Sequence, residues 1–133
     1  MKRDFYHNTK VVQTITPRTA ESAGAINGSA VDLSDCGAVL VVASVGDMTL
    51  ASVTFTVQES ANGTSWADVP AVSLISDTGA NGWAKQVTTD DTTVRCAYIG
   101  TKRYIRAVAT VAGQTPVAPL SVVVVKGRLD IEG

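Results

Sequence analysis

The chain has 133 residues, a formal net charge of −1 and 17% charged residues, which is the size of one domain with a low charge content. So small a net charge provides no long-range field to draw the protein onto nucleic acid or an anionic membrane. Val, Thr and Ile make up 42 of the 133 residues, and such β-branched side chains favour strands. Composition therefore predicts a β domain whose weakly charged surface is either covered in part or made of Thr-rich outer faces.

Residues 1–10 mix charged, aromatic and polar side chains without periodicity, and we interpret them as an extended N-terminal arm. No apolar stretch or small-residue cleavage site follows them, so they do not resemble a signal peptide. The longest apolar runs are too short to span a bilayer. We therefore expect a protein that is made and folded in the cytoplasm.

The first strand is predicted at 10–16, where Pro17 ends it. Residues 18–29 are rich in Ala, Gly and Ser and finish in an Asn-Gly turn signal. The next strands are predicted at 30–33 and 38–45. The second of these is apolar on both faces, which is typical of a central strand between two layers.

The clearest alternation in the chain is at 52–60, with Val53, Phe55 and Val57 on one face and polar side chains on the other. An Asn-Gly pair follows and predicts a hairpin, whose return strand is 66–69.

Further strands are predicted at 83–88 and at 92–98. A tight turn at 99–102 then predicts a second hairpin, with 103–111 as the partner of 92–98. The last strand is predicted at 118–126.

These short strands, each bounded by turn residues, predict an all-β fold. The candidates are an antiparallel β-sandwich, Ig-like or jelly-roll-like, and a small β-barrel. We expect one domain at 11–126, preceded by the arm at 1–10 and followed by a tail at 127–133.

No set of residues indicates a catalytic site, so we expect that the protein is not an enzyme and binds no cofactor or metal. His7 is the single histidine and has no nucleophile nearby in sequence. Asp90 and Asp91 match no calcium-loop spacing and are interpreted as turn residues. Cys36 and Cys96 lack metal-ligand neighbours, and are interpreted as small buried side chains, with a disulfide as the alternative.

Two features favour binding. Trp66 and Trp83 are either core aromatics or, if exposed, platforms for stacking on sugar rings. Lys102, Arg103 and Arg106 form a small basic cluster, which is either a solvated strand edge or a contact for an acidic patch on a neighbouring subunit.

Several segments together resemble a family of small structural proteins that tailed bacteriophages and prophages encode near the major capsid protein. The resemblance covers about residues 3–126. The segments that carry it are Arg3-Asp4-Phe5-Tyr6-His7-Asn8, Val11-Val12-Gln13, Val31-Asp32-Leu33, Thr54-Phe55-Thr56-Val57-Gln58-Glu59-Ser60 with Asn62-Gly63-Thr64, and Tyr98-Ile99-Gly100-Thr101-Lys102-Arg103-Tyr104-Ile105-Arg106.

The resemblance implies a virion structural protein, in the first place a capsid decoration (cement) protein that binds the major capsid protein as a homo-oligomer on a symmetric shell. The alternatives are a head–tail neck or tail component and, outside that family, a glycan-binding β-sandwich module. No nucleic acid or membrane partner is expected. The candidate interface residues are Arg3, Phe5, Tyr6, His7, Lys102, Arg103 and Arg106.

Overall fold

The structure is a computed structural model that describes residues 7–76 and 83–127. These residues form eleven strands and one short 3₁₀ turn, Ala71–Ser73. The strands are β1 (Thr9–Ala20), β2 (Gly24–Asn27), β3 (Val31–Asp32), β4 (Ala38–Val45), β5 (Ser52–Ser60), β6 (Ala67–Asp68), β7 (Leu74–Ile75), β8 (Lys85–Val87), β9 (Thr92–Tyr98), β10 (Tyr104–Ala112) and β11 (Ala118–Gly127).

Two antiparallel sheets pack face to face. Sheet A has the strand order β1-β11-β4-β9-β7, and sheet B has the order β2-β10-β5-β6, with β3 pairing with β10 and β8 pairing with β5. Along the chain β1, β2, β4 and β5 alternate between the two sheets, as do β8, β9, β10 and β11, which is the connectivity of a jelly roll. The predicted all-β sandwich is confirmed, in its jelly-roll form.

Alternating side chains of both sheets fill the core. The prediction that Val53, Phe55 and Val57 share a buried face is confirmed, since each is fully buried. Trp83 is 1% exposed and stacks on Phe55 with ring centroids 6.4 Å apart. Burying each such side chain stabilises the fold by about 1.5–3 kcal/mol.

The bounds predicted for β4, β5 and β9 are those of the structure, and the hairpin between β5 and β6 is confirmed. The strands β3, β6 and β8 are shorter than predicted, while β11 is longer by one residue. In the part of the chain that the structure describes, no helix has the length and hydropathy of a membrane span.

The predicted end of the first strand at Pro17 is wrong. β1 continues to Ala20 and absorbs the proline in an irregular stretch, where its register with β11 shifts between Ile15 and Arg18. β1 lies at the edge of sheet A, so the missing N–H of Pro17 leaves no gap in a central ladder. β2 lies in the segment that was predicted to be a turn.

The predicted hairpin between 92–98 and 103–111 is also wrong. β9 pairs with β4 and β7 in sheet A, whereas β10 pairs with β5 in sheet B. Tyr98 lies under the connection between them: its hydroxyl accepts a hydrogen bond from the Lys102 N–H (3.0 Å) and donates one to Glu59 Oε1 (2.8 Å). The connection therefore crosses from one sheet to the other.

Candidate interaction surfaces

The outer face of sheet A carries an apolar row that crosses all five strands in register. The row follows the ladder partners from one edge to the other: Val11, Val125, Leu40, Ala97 and Ile75. Its two ends are the most open, since Val11 is 60% exposed and Ile75 is 61% exposed. We call this set the apolar row.

A second row lies beside it on the same face: Gln13, Val123, Val42 and Arg95. Arg95 is the one charged residue among these nine outward positions. Contiguous apolar surface of this kind makes the outer face of sheet A a candidate contact site. The expectation that β4 lies between two layers is half right, because within residues 7–76 and 83–127 only the inner side of β4 is covered by a second sheet.

The outer face of sheet B has a different chemistry. Its registered outward positions include Thr54, Thr56, Gln58 and Arg106. The Arg106 guanidinium donates to Gln58 Oε1 through Nε (2.9 Å) and Nη2 (2.8 Å), and lies 4.6 Å from the centre of the Trp66 ring. This face is therefore polar and satisfied by its own side chains.

One end of the sandwich is formed by two loops, 33–37 and 99–103, which we call the terminal loops. Lys126 occupies an inward position at the end of β11 and is 5% exposed. Its ammonium group contacts Asp35 Oδ1 (2.7 Å) and donates to the Asp32 carbonyl oxygen (3.0 Å). The aliphatic part of Lys126 is therefore buried, and its ammonium group holds the loop 33–37 against sheet A.

The second terminal loop is fixed by an ion pair. Arg103 donates to Asp32 through Nε (3.1 Å) and Nη2 (2.9 Å), a bidentate arrangement. The Arg103 hydrogen bonds hold the pKa of the Asp32 carboxyl well below its usual range, and the hydrogen bond from Lys126 lowers the pKa of Asp35. Both loops therefore present charged groups in positions that internal contacts set in advance.

A cleft of about 500 Å³ lies between the terminal loops, with Cys36, Tyr98 and Lys102 among its lining residues. The two cysteines are free. Burial raises the pKa of the Cys36 thiol, and raises that of Cys96 to about 12. Neither thiol is activated as a nucleophile, since the reactive form is the thiolate.

The structure brings some of the predicted interface residues together. His7 is exposed just before β1, at the same end of the sandwich as Lys102 and Arg103, because the start of β1 pairs with Gly127 and Gly37 donates to the Gly127 carbonyl oxygen. Arg106 lies apart, on the outer face of sheet B. The remaining three predicted residues, Arg3, Phe5 and Tyr6, lie outside the described residues.

Two acidic residues in the described ranges lie side by side. Asp47 and Asp90 hydrogen-bond to each other, which raises the pKa of Asp47, and Asp90 Oδ1 also accepts the Met48 N–H (2.9 Å). No group of three His, Cys, Asp or Glu side chains in the described ranges could hold a metal ion.

The two apolar sides of β4 were noticed in the sequence, but a continuous apolar face was not predicted. Its signal was present in β11, where Val122–Val125 place valines on both sides of one strand, and in β4. Recognising a continuous row required the register of five strands, which joins positions as distant in sequence as Val11 and Val125.

No protein-family model and no curated protein matches the chain. The two antiparallel sheets define the protein as a β-sandwich, and solved structures match it in fold. One is the SPBc2 prophage-derived protein YomS (TM-score 0.53, 12% identity, covering 90% of this chain and 94% of that one). Another is the PBSX exported protein XepA (TM-score 0.59, 15% identity, covering 93% of this chain). This chain spans 39% of XepA, and at these identities the likeness is one of fold.

Proposed function

We propose that this protein is a structural component of a tailed-bacteriophage particle, and that it decorates the shell by binding the major capsid protein. The observation that carries the proposal is the presence of two separate contact surfaces on one rigid sandwich, the apolar face of sheet A and the charged terminal loops. The sequence resemblance supports the phage setting, as does the fold shared with the prophage-derived protein YomS.

The terminal loops suit repeated binding to a shell. Asp32, Arg103 and Lys126 fix each other, so little side-chain freedom is lost when the loops meet a partner. Lys102 is exposed beside the cleft and is suited to an acidic patch on the capsid protein. Each contact is small, but many copies on a symmetric shell add up to stable attachment.

Binding to shells tests the proposal. Full-length protein is co-sedimented with shells assembled from the major capsid protein, as wild type, Lys102→Glu and Arg18→Glu. Arg18 is an exposed charge near the other end of β1. We expect the wild type and Arg18→Glu to saturate the shells and raise their melting temperature, and Lys102→Glu to bind about tenfold or more weakly, since like charges at an interface oppose binding.

Failure of the wild type to co-sediment would overturn the decoration role. Equal weakening by Lys102→Glu and Arg18→Glu would overturn the assignment of the terminal loops as the contact.

A second candidate function is glycan binding through Trp66, which is half-buried beside Gln58, Asp68 and Arg106 on the polar face of sheet B. Trp83 is excluded from this role because it is in the core. Glycan binding predicts a fluorescence change with oligosaccharides that Trp66→Phe removes. An unaltered spectrum across a broad glycan panel would count decisively against it.

A further inference from the structure

We propose that two copies of this protein pair face to face through sheet A, about a two-fold axis parallel to β4. The pairing surface is the apolar row together with its neighbouring row. The inference concerns the free protein and holds whether or not the particle role is correct.

The low charge of the outer face of sheet A favours a second copy of this protein as its binding partner. Across the two rows there is one charge, Arg95, and six of the nine residues are Val, Leu or Ile. A charged partner surface would lose its hydration here without gaining a counter-charge. A second sheet A offers the same apolar surface with a single charge, Arg95, at the second row, and two-fold pairing places the same patch on both sides of the interface.

The order of residues in the apolar row suits this axis. β4 is the middle strand of the five, so Leu40 lies at the centre of the row and meets Leu40 of the other copy. The rotation then sets Val125 against Ala97, which combines a larger side chain with a smaller one. At the ends it sets Val11 against Ile75.

The surface relief agrees with this arrangement. A hollow of about 250 Å³ lies at the Ile75 end, with Leu40, Arg95 and Ala97 also among its lining residues. Val11, at the opposite end, is 60% exposed. Because the rotation sets Val125 against Ala97, Val125 of each copy faces the hollow of the other, and Val11 lies at the Ile75 edge of that hollow.

A two-fold axis along the row is a poorer fit. It would set Ala97 against Ala97 and leave a gap there. It would also set the second row over the row formed by Gly127 and Ala38, where there is little side chain to contact.

The available area predicts a weak dimer. The five strands of sheet A are spaced by about 4.8 Å and have a mean length of about eight residues of about 3.3 Å each, so the whole outer face projects roughly 500 Å² per copy. The two rows cover only part of that face, so the buried total stays below about 1,000 Å², the lower limit for a specific interface, and we expect a dissociation constant in the upper micromolar range.

Sedimentation equilibrium at about 1 to 500 µM covers the range expected for such an interface. We expect wild type to show a reversible monomer–dimer equilibrium and Leu40→Lys to remain monomeric with an unchanged circular dichroism spectrum. Leu50→Lys is the matched control, because Leu50 is 71% exposed and lies after β4, outside sheet A, and it should dimerise like wild type. A wild type that stays monomeric throughout would overturn the proposal.

Crosslinking tests the axis without a disruptive charge. In a Cys36→Ser background, Val11→Cys and Ile75→Cys proteins are mixed and treated with a short bismaleimide. We expect a crosslink between the two variants, identified by mass spectrometry, and none in Val11→Cys alone. Crosslinking of Val11→Cys to itself would show the other axis, and no crosslink in any mixture would contradict pairing through this face.

Discussion

Gly28 allows a close approach between the backbones of the two sheets, because it has no side chain. Its N–H donates to the Ala107 carbonyl oxygen (2.7 Å). A Cβ at this position would lie 2.6 Å from that oxygen and 2.9 Å from the Thr14 carbonyl oxygen, and closer still to Thr14 Oγ1. Neither carbonyl can move without disturbing its own strand.

We predict that Gly28→Ala lowers the free energy of unfolding by about 1–3 kcal/mol, the usual cost of an overpacked site. Urea denaturation measures it. Gly127→Ala is the control, because there the nearest atom to a new Cβ is the Ala38 Cβ at 3.5 Å, an ordinary contact. Equal stability of the two variants would contradict the tight approach at Gly28.

Asp47 makes a residue-scale prediction about pH. The hydrogen bond with Asp90 raises the pKa of Asp47 in the folded protein. A carboxyl with a raised folded pKa stabilises the fold in its protonated form, so its contribution is present at low pH and is lost as the pH rises through that pKa. Near neutrality the two carboxylates repel each other.

We therefore expect Asp47→Asn to raise the melting temperature at about pH 7, and the gain to shrink towards about pH 3, where carboxyls are protonated. The same substitution type at the exposed Glu21, Glu21→Gln, serves as the control. A gain that stays constant over the whole pH range would rule out the proposed repulsion.

At the scale of the element, β1 is shaped by an irregularity at Thr14. The register with β11 shifts between Gln13 and Ile15, and this turns the Thr14 side chain inward, where it is 3% exposed. Its hydroxyl donates to the Ser29 carbonyl oxygen (2.8 Å) and accepts the Ala107 N–H (3.2 Å). One side chain thus ties an edge strand of sheet A to the middle of sheet B.

We predict that Thr14→Val lowers the free energy of unfolding by about 2–4 kcal/mol, because it leaves a buried N–H and a carbonyl without their partner. Thr14→Ser keeps the hydroxyl and should cost less than half as much. Chemical denaturation of the three proteins gives the comparison, and equal losses for Val and Ser would show that packing of the methyl group, not hydrogen bonding, is what matters.

The long elements could be predicted from the sequence because their signal is local. β5 alternates strictly, and β4 is an unbroken apolar run between turn residues, so their bounds follow from side-chain pattern. The pairing of β10 could not be predicted in this way. Gly100 indicates a turn, but whether the chain turns back or crosses over depends on Tyr98, whose ring lies under the loop and bonds to Glu59 in the other sheet.

The candidate site was predictable to a similar extent. Lys102 and Arg103 were identified from their own sequence, but the contact of Arg103 with Asp32, which Lys126 also contacts, emerged only with the fold. The apolar outer side of β4 was noticed in the sequence but assigned to a second layer of the same chain. The sequence pattern indicates that both sides of β4 are buried. Only the tertiary structure shows that none of the described residues buries the outer side.

At the scale of the whole molecule, the fold assigns different chemistry to different surfaces. Sheet B is polar on its outside, sheet A is apolar, and the terminal loops hold fixed charges. The low charge content of the sequence predicted either a partly covered surface or Thr-rich outer faces, and the apolar face gives the first expectation a location. In the proposed account, the protein pairs with itself and binds a shell at the same time, because the two contacts use different parts of its surface.

The copy number of the protein in purified phage particles, measured by quantitative mass spectrometry against the major capsid protein, tests the structural role most directly. We predict hundreds of copies, comparable with the capsid protein itself, as repeated weak attachment to a symmetric shell requires. About a dozen copies or fewer would contradict decoration and place the protein at the neck or tail. Its absence from the particle would contradict a structural role altogether.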